Sequence, residues 1–200
     1  MEKEKEEVDI YDFDKTLVPF DSGILFCLYC LIHYPWIIIL LPFILVPAIL
    51  LLLRIINLTT FKKFCFIFVP FIPLQKAVKN FWDKYEKDVH KWFFNRKRTC
   101  VVISASPDFL LNEISQRIHI DHLICTRHNK KTGCIIGENC FYDEKVKRFR
   151  EEFGNTKVID VYSDSLKHDQ PIFSLATGQC FHIVKSKLCP FEYKQVYGSK

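Results

Sequence analysis

Between Asp21 and Arg54 the chain carries no Asp, Glu, Lys or Arg, although 26% of its 200 residues are charged. An uncharged run of this length is not a solvated loop; it is either buried in a core or in contact with a membrane. Tyr34 to Leu53 alone gives twenty residues, roughly the thickness of a bilayer's hydrocarbon core if helical. A buried helix is the alternative, but residues 21–97 offer little to cover Trp36, Phe43 and the many Ile, Leu and Val of this run. The block about 23–53 is therefore expected to be membrane-associated. Prolines at 35, 42 and 47 interrupt it, and a second apolar run, Phe64 to Pro73, is too short for a helical span.

The net charge of +5 hides a local bias. From Arg54 to Arg98 there are eleven bases against three acids, directly after the uncharged block. That placement suits an anionic membrane surface or a phosphorylated ligand. No zinc-finger spacing or RNP-type motif accompanies it, so nucleic acid is not expected as a partner. The nine cysteines are an odd number without a metal-ligand or disulfide pattern, and MEKEKEE does not open a signal peptide. A reducing, cytoplasmic setting is expected. Cys27 and Cys30 form a CxxC inside LFCLYCLI, where no base would favour a thiolate, and read as small apolar residues.

Met1 to Glu7 reads as a solvated start and Val8 to Tyr11 as a strand. The spacing of Leu74, Ala77, Val78, Phe81, Trp82, Tyr85, Val89, Trp92 and Phe93 predicts an amphipathic helix from Leu74 to Asn95. After Arg98, short β-rich runs alternate with helical ones, the pattern of a parallel α/β sheet. Strands are expected at Cys100–Ser104, His122–Thr126, Val158–Tyr162 and Phe181–Val184. Helices are expected from Ser106-Pro107 to about Arg117 and from Lys145 to Phe153, with a turn at Lys131-Thr132-Gly133.

The first strand delivers Asp12-Phe13-Asp14-Lys15-Thr16-Leu17, two carboxylates on one side of an extended chain. Three further polar sites fall at strand ends or helix starts: Ser104 in VVISASP, Lys145 in GENCFYDEK, and Asp164 with Asp169 in VYSDSLKHDQP. Ligands of open α/β sheets bind at such ends. Carboxylates gathered there repel unless a hard divalent cation joins them, and oxygen ligands favour magnesium. Ser104 and the amides near Pro107 could hold a phosphoryl group.

In this order, DFDKTL, VISASP, KKTGCIIGENCFYDEK and YSDSLKHDQPIF resemble the four motifs of the haloacid dehalogenase superfamily of phosphatases. The segment with Gly133, Gly137, Cys140 and Lys145 is similar to the phosphoserine-phosphatase branch, whose cap is inserted between the first two motifs. The resemblance implies a Rossmann-like parallel sheet with helices on both faces, a core of residues 1–20 and 98–200, and a mainly helical cap over 21–97. It implies Asp12 as nucleophile forming an aspartyl-phosphate and Asp14 as general acid and base. Thr16 would shape the loop, and Ser104 and Lys145 would hold phosphoryl oxygens. Asp12, the Asp14 carbonyl and Asp164 would bind Mg2+, with Asp169 supporting them. Asp21 stands where such caps begin, facing substrate or capping a helix. Two positions depart from the superfamily: Lys15 and Ser163 stand where Gly is frequent, which concerns loop backbone more than chemical groups.

The apolar insert and the YSDS form of the last motif are similar to bacterial phosphatidylglycerophosphate phosphatases of this superfamily. Three functions stay open: a Mg2+-dependent lipid-phosphate phosphatase on the cytoplasmic side of the membrane, a soluble phosphatase of a small metabolite such as phosphoserine, and a non-catalytic membrane-binding module. Since Asp12 and Ser104 must meet in one site, the insert starts and ends on one side of the bilayer. It is expected to form a shallow hairpin bent near Pro42 or Pro47, with Lys62 and Lys63 at the headgroups.

Overall fold

The computed structural model describes residues 7–56 and 58–198; Met1 to Glu6, expected as part of a solvated start, and the side chain of Lys62 lie outside the described residues. Six strands form one sheet in the order β3-β2-β1-β4-β5-β6. They are β1 (Glu7–Tyr11), β2 (Thr99–Pro107), β3 (His122–Thr126), β4 (Lys157–Ser163), β5 (Cys180–Val184) and β6 (Lys187–Phe191). The first five run parallel, with Val8 opposite Thr99 on one side and Val158 on the other, and β6 returns antiparallel to β5. The central strands are buried on both faces, which is why Cys100-Val101-Val102-Ile103 of β2 reads as an unbroken apolar run rather than an alternating one.

Helices α1 (Ser22–His33), α2 (Leu41–Leu52), α3 (Leu58–Cys65) and α4 (Leu74–Tyr85) lie in the insert between β1 and β2. They are followed by α5 (Asp108–Arg117), α6 (Asp143–Phe153), α7 (Gln170–Phe173) and α8 (Tyr193–Tyr197). One side of the sheet packs Ile10 and Ile103 against Phe149 and Phe173; the other packs Phe13 and Val102 with Leu110 of α5 and with Phe26, Phe81 and Trp82 of the insert. The Trp82 indole donates to the Leu110 carbonyl at 2.8 Å, so insert and sheet share one core.

Three local expectations are corrected. The amphipathic helix ends at Tyr85, and 3-10 turns follow at Glu86–Asp88 and Lys91–Asn95. There the His90 amide donates to the Leu17 carbonyl at 2.9 Å, a tertiary bond that takes the backbone out of the helix. Strand β6 went unread because Pro190 interrupts its pattern; an edge strand tolerates the missing N–H.

The third correction concerns the apolar block, whose helix runs on through Pro42 and Pro47 instead of turning back there. A 3-10 turn, Pro35–Leu40, leads straight into α2, with Pro42 in its first turn, where no N–H is required, and Pro47 inside it. The chain reverses after Leu53 instead. Arg54 has φ +59°, its amide donates to Leu51 at 3.0 Å, and Ile55 donates to Leu50 at 2.9 Å, the paired bonds of a Schellman cap. Helix α3 then packs back against α2. Pro35–Leu52 is the one stretch among the described residues long and apolar enough to cross a membrane, and only 11% of it is buried.

A loop after β3 clasps the insert. Gly133 has φ +73°, and a Cβ placed on it would stand 1.7 Å from the Phe66 carbonyl oxygen. Gly133→Ala therefore has to separate loop from insert as well as adopt a strained backbone. A loss of at least about 2 kcal/mol is expected, measured by denaturant unfolding; an unchanged midpoint would disprove the clasp.

Candidate active site

Asp12 follows β1 and Asp164 follows β4, so both acids stand at the carboxyl ends of neighbouring strands whose connections leave in opposite directions, where an open sheet forms a crevice. Asp12, Asp164 and Asp169 each offer a carboxylate oxygen within 4.8 Å of the others. Lys145, on the first turn of α6, lies among them at 3% side-chain exposure, with its Nζ 2.7 Å from an oxygen of Asp12 and 2.7 Å from one of Asp169. Burial pushes the Asp12 carboxyl up while the Lys145 ammonium pulls it down. Burial would lower the Lys145 pKa, but Asp12 and Asp169 together raise it, so the ammonium stays charged. Asp164 is raised by burial and by Asp169, against Lys15 and Lys145.

The Thr16 hydroxyl donates to Asp12 Oδ2 at 3.2 Å and accepts the Asp164 amide at 2.9 Å. It is fully buried and ties the first strand's loop to the fourth's, behind the cavity surface rather than on it. Asp169 occupies the N-cap position of α7 but does not cap it; its carboxylate goes to Lys145 and to the Ser163 hydroxyl. Ser163 thus supplies a chemical group and not merely backbone, a role that the comparison with Gly did not suggest.

Asp14 points elsewhere. It accepts the Ser22 amide at 2.7 Å and the Ser106 hydroxyl at 2.5 Å, and it is raised by burial and by the Asp21 charge. Asp21 caps α1 by accepting from the Ile24 amide at 2.9 Å and also lines the cavity. Ser104 is buried, its hydroxyl accepting the Ser106 amide at 3.1 Å. Ser106, unlike Ser104, lines the cavity; from the sequence it reads only as a helix cap. The signal was its spacing: two residues apart on an extended chain, 104 and 106 share a side.

These acids close one end of a cavity of about 760 Å³. The opposite wall is apolar, built from Ile24 and Leu28 of α1, Phe61 of α3, and Phe66. His128 also lines it, packed edge-on between Phe66 and Phe109. No sulfur or imidazole belongs to the acidic group; three carboxylates against one ammonium leave a net negative, all-oxygen donor set that fits a hard divalent cation.

Comparison with known proteins agrees with this geometry. Protein CicA of Caulobacter vibrioides, in strains NA1000 / CB15N and ATCC 19089 / CIP 103742 / CB 15, is 29% identical over 93 residues, covering 44% of this chain. That match spans 41% of the relative's length. Among solved structures, a phosphoserine phosphohydrolase-like protein from Francisella tularensis subsp. tularensis SCHU S4 superposes with a TM-score of 0.55 at 15% identity, over 90% of this chain and 88% of that one. A protein with unknown function from Bordetella pertussis Tohama I gives 0.55 at 16%, over 74% of each chain. Both likenesses concern the fold. Residues 10–174, which include every strand-end acid and Lys145, match the family described as haloacid dehalogenase-like hydrolase. The chain belongs to the haloacid dehalogenase-like hydrolase family.

Proposed function

We propose that the protein is a Mg2+-dependent phosphomonoester hydrolase acting on a membrane lipid phosphate of the phosphatidylglycerophosphate kind, from the cytoplasmic side of the membrane. The observation that carries this reading is the cavity, whose lining joins the acids and Lys145 to apolar side chains of α1 and α3, in a chain that also exposes the Pro35–Leu52 stretch. A phosphate ester whose leaving alcohol carries hydrocarbon chains requires that pairing.

The Asp12 carboxylate attacks phosphorus as the ester oxygen departs, and Asp14 gives that oxygen its proton. Water then attacks the aspartyl-phosphate while Asp14 takes the water's proton, which frees inorganic phosphate and restores Asp12. Lys145 holds Asp12 in line and faces the transferring oxygens, and the Ser106 hydroxyl keeps Asp14 oriented. Asp12, Asp164 and Asp169 would hold the magnesium ion, which when bound offsets the negative charge of the phosphoryl group.

The test is phosphate release from a lipid phosphomonoester in mixed micelles and from phosphoserine, with magnesium or with EDTA. Release that needs magnesium and favours the lipid by at least about tenfold in kcat/KM is expected; a preference for phosphoserine would favour the soluble-metabolite reading. For the membrane, Ile39 and Leu52 are 76% and 81% exposed. Replacing either one by Asp should leave the melting temperature unchanged and lower binding to anionic vesicles by roughly 100-fold, since a charge in the hydrocarbon costs about 3 kcal/mol by insertion scales. Equal sedimentation of variant and wild type would remove this stretch from the membrane contact.

A further inference from the structure

A second cavity, of about 350 Å³, adjoins the catalytic one and shares Lys15 and Asp164 with it. Its other side is the β5–β6 hairpin, which contributes His182, Lys185 and Ser186, and Pro19 closes the rim. Asp164 lines both cavities, and its carboxylate lies within 4.8 Å of an oxygen of Asp12 and of Asp169 and feels the Lys15 charge. Both lysines are exposed, and neither forms an ion pair among the described residues. His182 Nε2 donates to the Asp164 carbonyl at 2.9 Å, which fixes the hairpin's strand to the rim of the catalytic site.

The backbone presenting these lysines is unusual. Lys15 has φ +57°, where the loop geometry suits glycine. Lys185 and Ser186 have φ +47° and +67°, and Val184 pairs with Lys187, so they form a two-residue turn with both centres left-handed. Such turns favour Asn-Gly, and here a lysine occupies the first centre. Two lysines thus sit in strained conformations in the lining of one cavity, and strain retained beside an active site is a pointer to function.

Building on the phosphatase reading of the Asp12 site, we infer that this second cavity binds a phosphate group other than the one being hydrolysed, between Lys15 and Lys185. The group is either a second phosphate of the substrate itself or the phosphodiester of a neighbouring lipid; both present the same anionic oxygens to the two ammonium groups.

Lys185→Asn removes the charge and supplies a residue suited to the turn, so the variant should melt at the wild-type temperature or above. KM for a soluble glycerol bisphosphate should rise about tenfold, about 1.4 kcal/mol, with kcat within twofold and KM for glycerol phosphate unchanged. Lys185→Arg should keep the wild-type value. If the phosphodiester comes from a neighbouring lipid, the bisphosphate arm stays flat, and phosphatidylglycerol in mixed micelles lowers KM for the lipid substrate in the wild type but not in Lys185→Asn. Two flat arms would overturn the site, and so would an equal change on glycerol phosphate and glycerol bisphosphate. Calorimetric titration of Asp12→Asn protein with glycerol bisphosphate, with and without Lys185→Asn, reads the same tenfold loss without turnover. Failure of the hydrolase reading shows separately, as an absence of phosphate release from every ester by the wild type.

Discussion

Asp12→Asn will release phosphate at least about 10³-fold more slowly than the wild type, a loss of several kcal/mol of transition-state stabilisation. The amide keeps the carboxylate's shape but cannot attack phosphorus. Its fold should survive, because Lys145 retains Asp169 at 2.7 Å and one of three mutually repelling carboxylates has been neutralised. Phosphate release measured beside a thermal melt separates the two effects. Wild-type-like turnover by a folded Asp12→Asn protein would dismiss Asp12 as the nucleophile.

Lys145→Met will show the opposite balance, with stability lost as well as activity. The ammonium is 3% exposed and bonded to two buried acids, so its removal leaves carboxylates in low dielectric without a counter-charge. Breaking a buried ion pair in this way costs about 3–5 kcal/mol, or roughly 10 °C in melting temperature for a chain of this size. The melt should be taken at neutral pH with EDTA present, so that no cation replaces the lysine. A fall under about 2 °C would mean that the acids are not held by Lys145 in the folded protein.

The strand-end acids were legible because their chemistry and their position come from the same short segments. A buried parallel strand announces itself as an apolar run, and the residues directly after it are the ones that reach the crevice. Ser106 and Ser163 were not legible in this way. Spacing puts Ser106 on the same side as Ser104, but which of the two meets a partner is settled only by the fold, where Asp14 reaches Ser106 across 92 residues of sequence. The reversal at Arg54 was hidden for a different reason. Its signal should have been Gly or Asn at the left-handed position, yet Arg stands there, while the prolines that drew attention sit where a helix accepts them or is held by packing. Likewise the periodicity from Leu74 to Phe93 is real, but a single backbone bond from His90 to Leu17 decides where the helix stops.

The Ser22 amide, the first residue of α1, donates to Asp14, and its hydroxyl lies 3.2 Å from that of Ser106. Asp14 is thus oriented from both sides of the junction where the insert begins. A cap joined to its core only by a hinge could be exchanged between relatives as a cassette to change what the site accepts. Here the cassette carries with it part of the apparatus that holds Asp14. A graft starting at residue 23 preserves that apparatus, whereas one starting at 21 imports whatever the donor places opposite Asp14, so changes of specificity and of acid strength are inherited together.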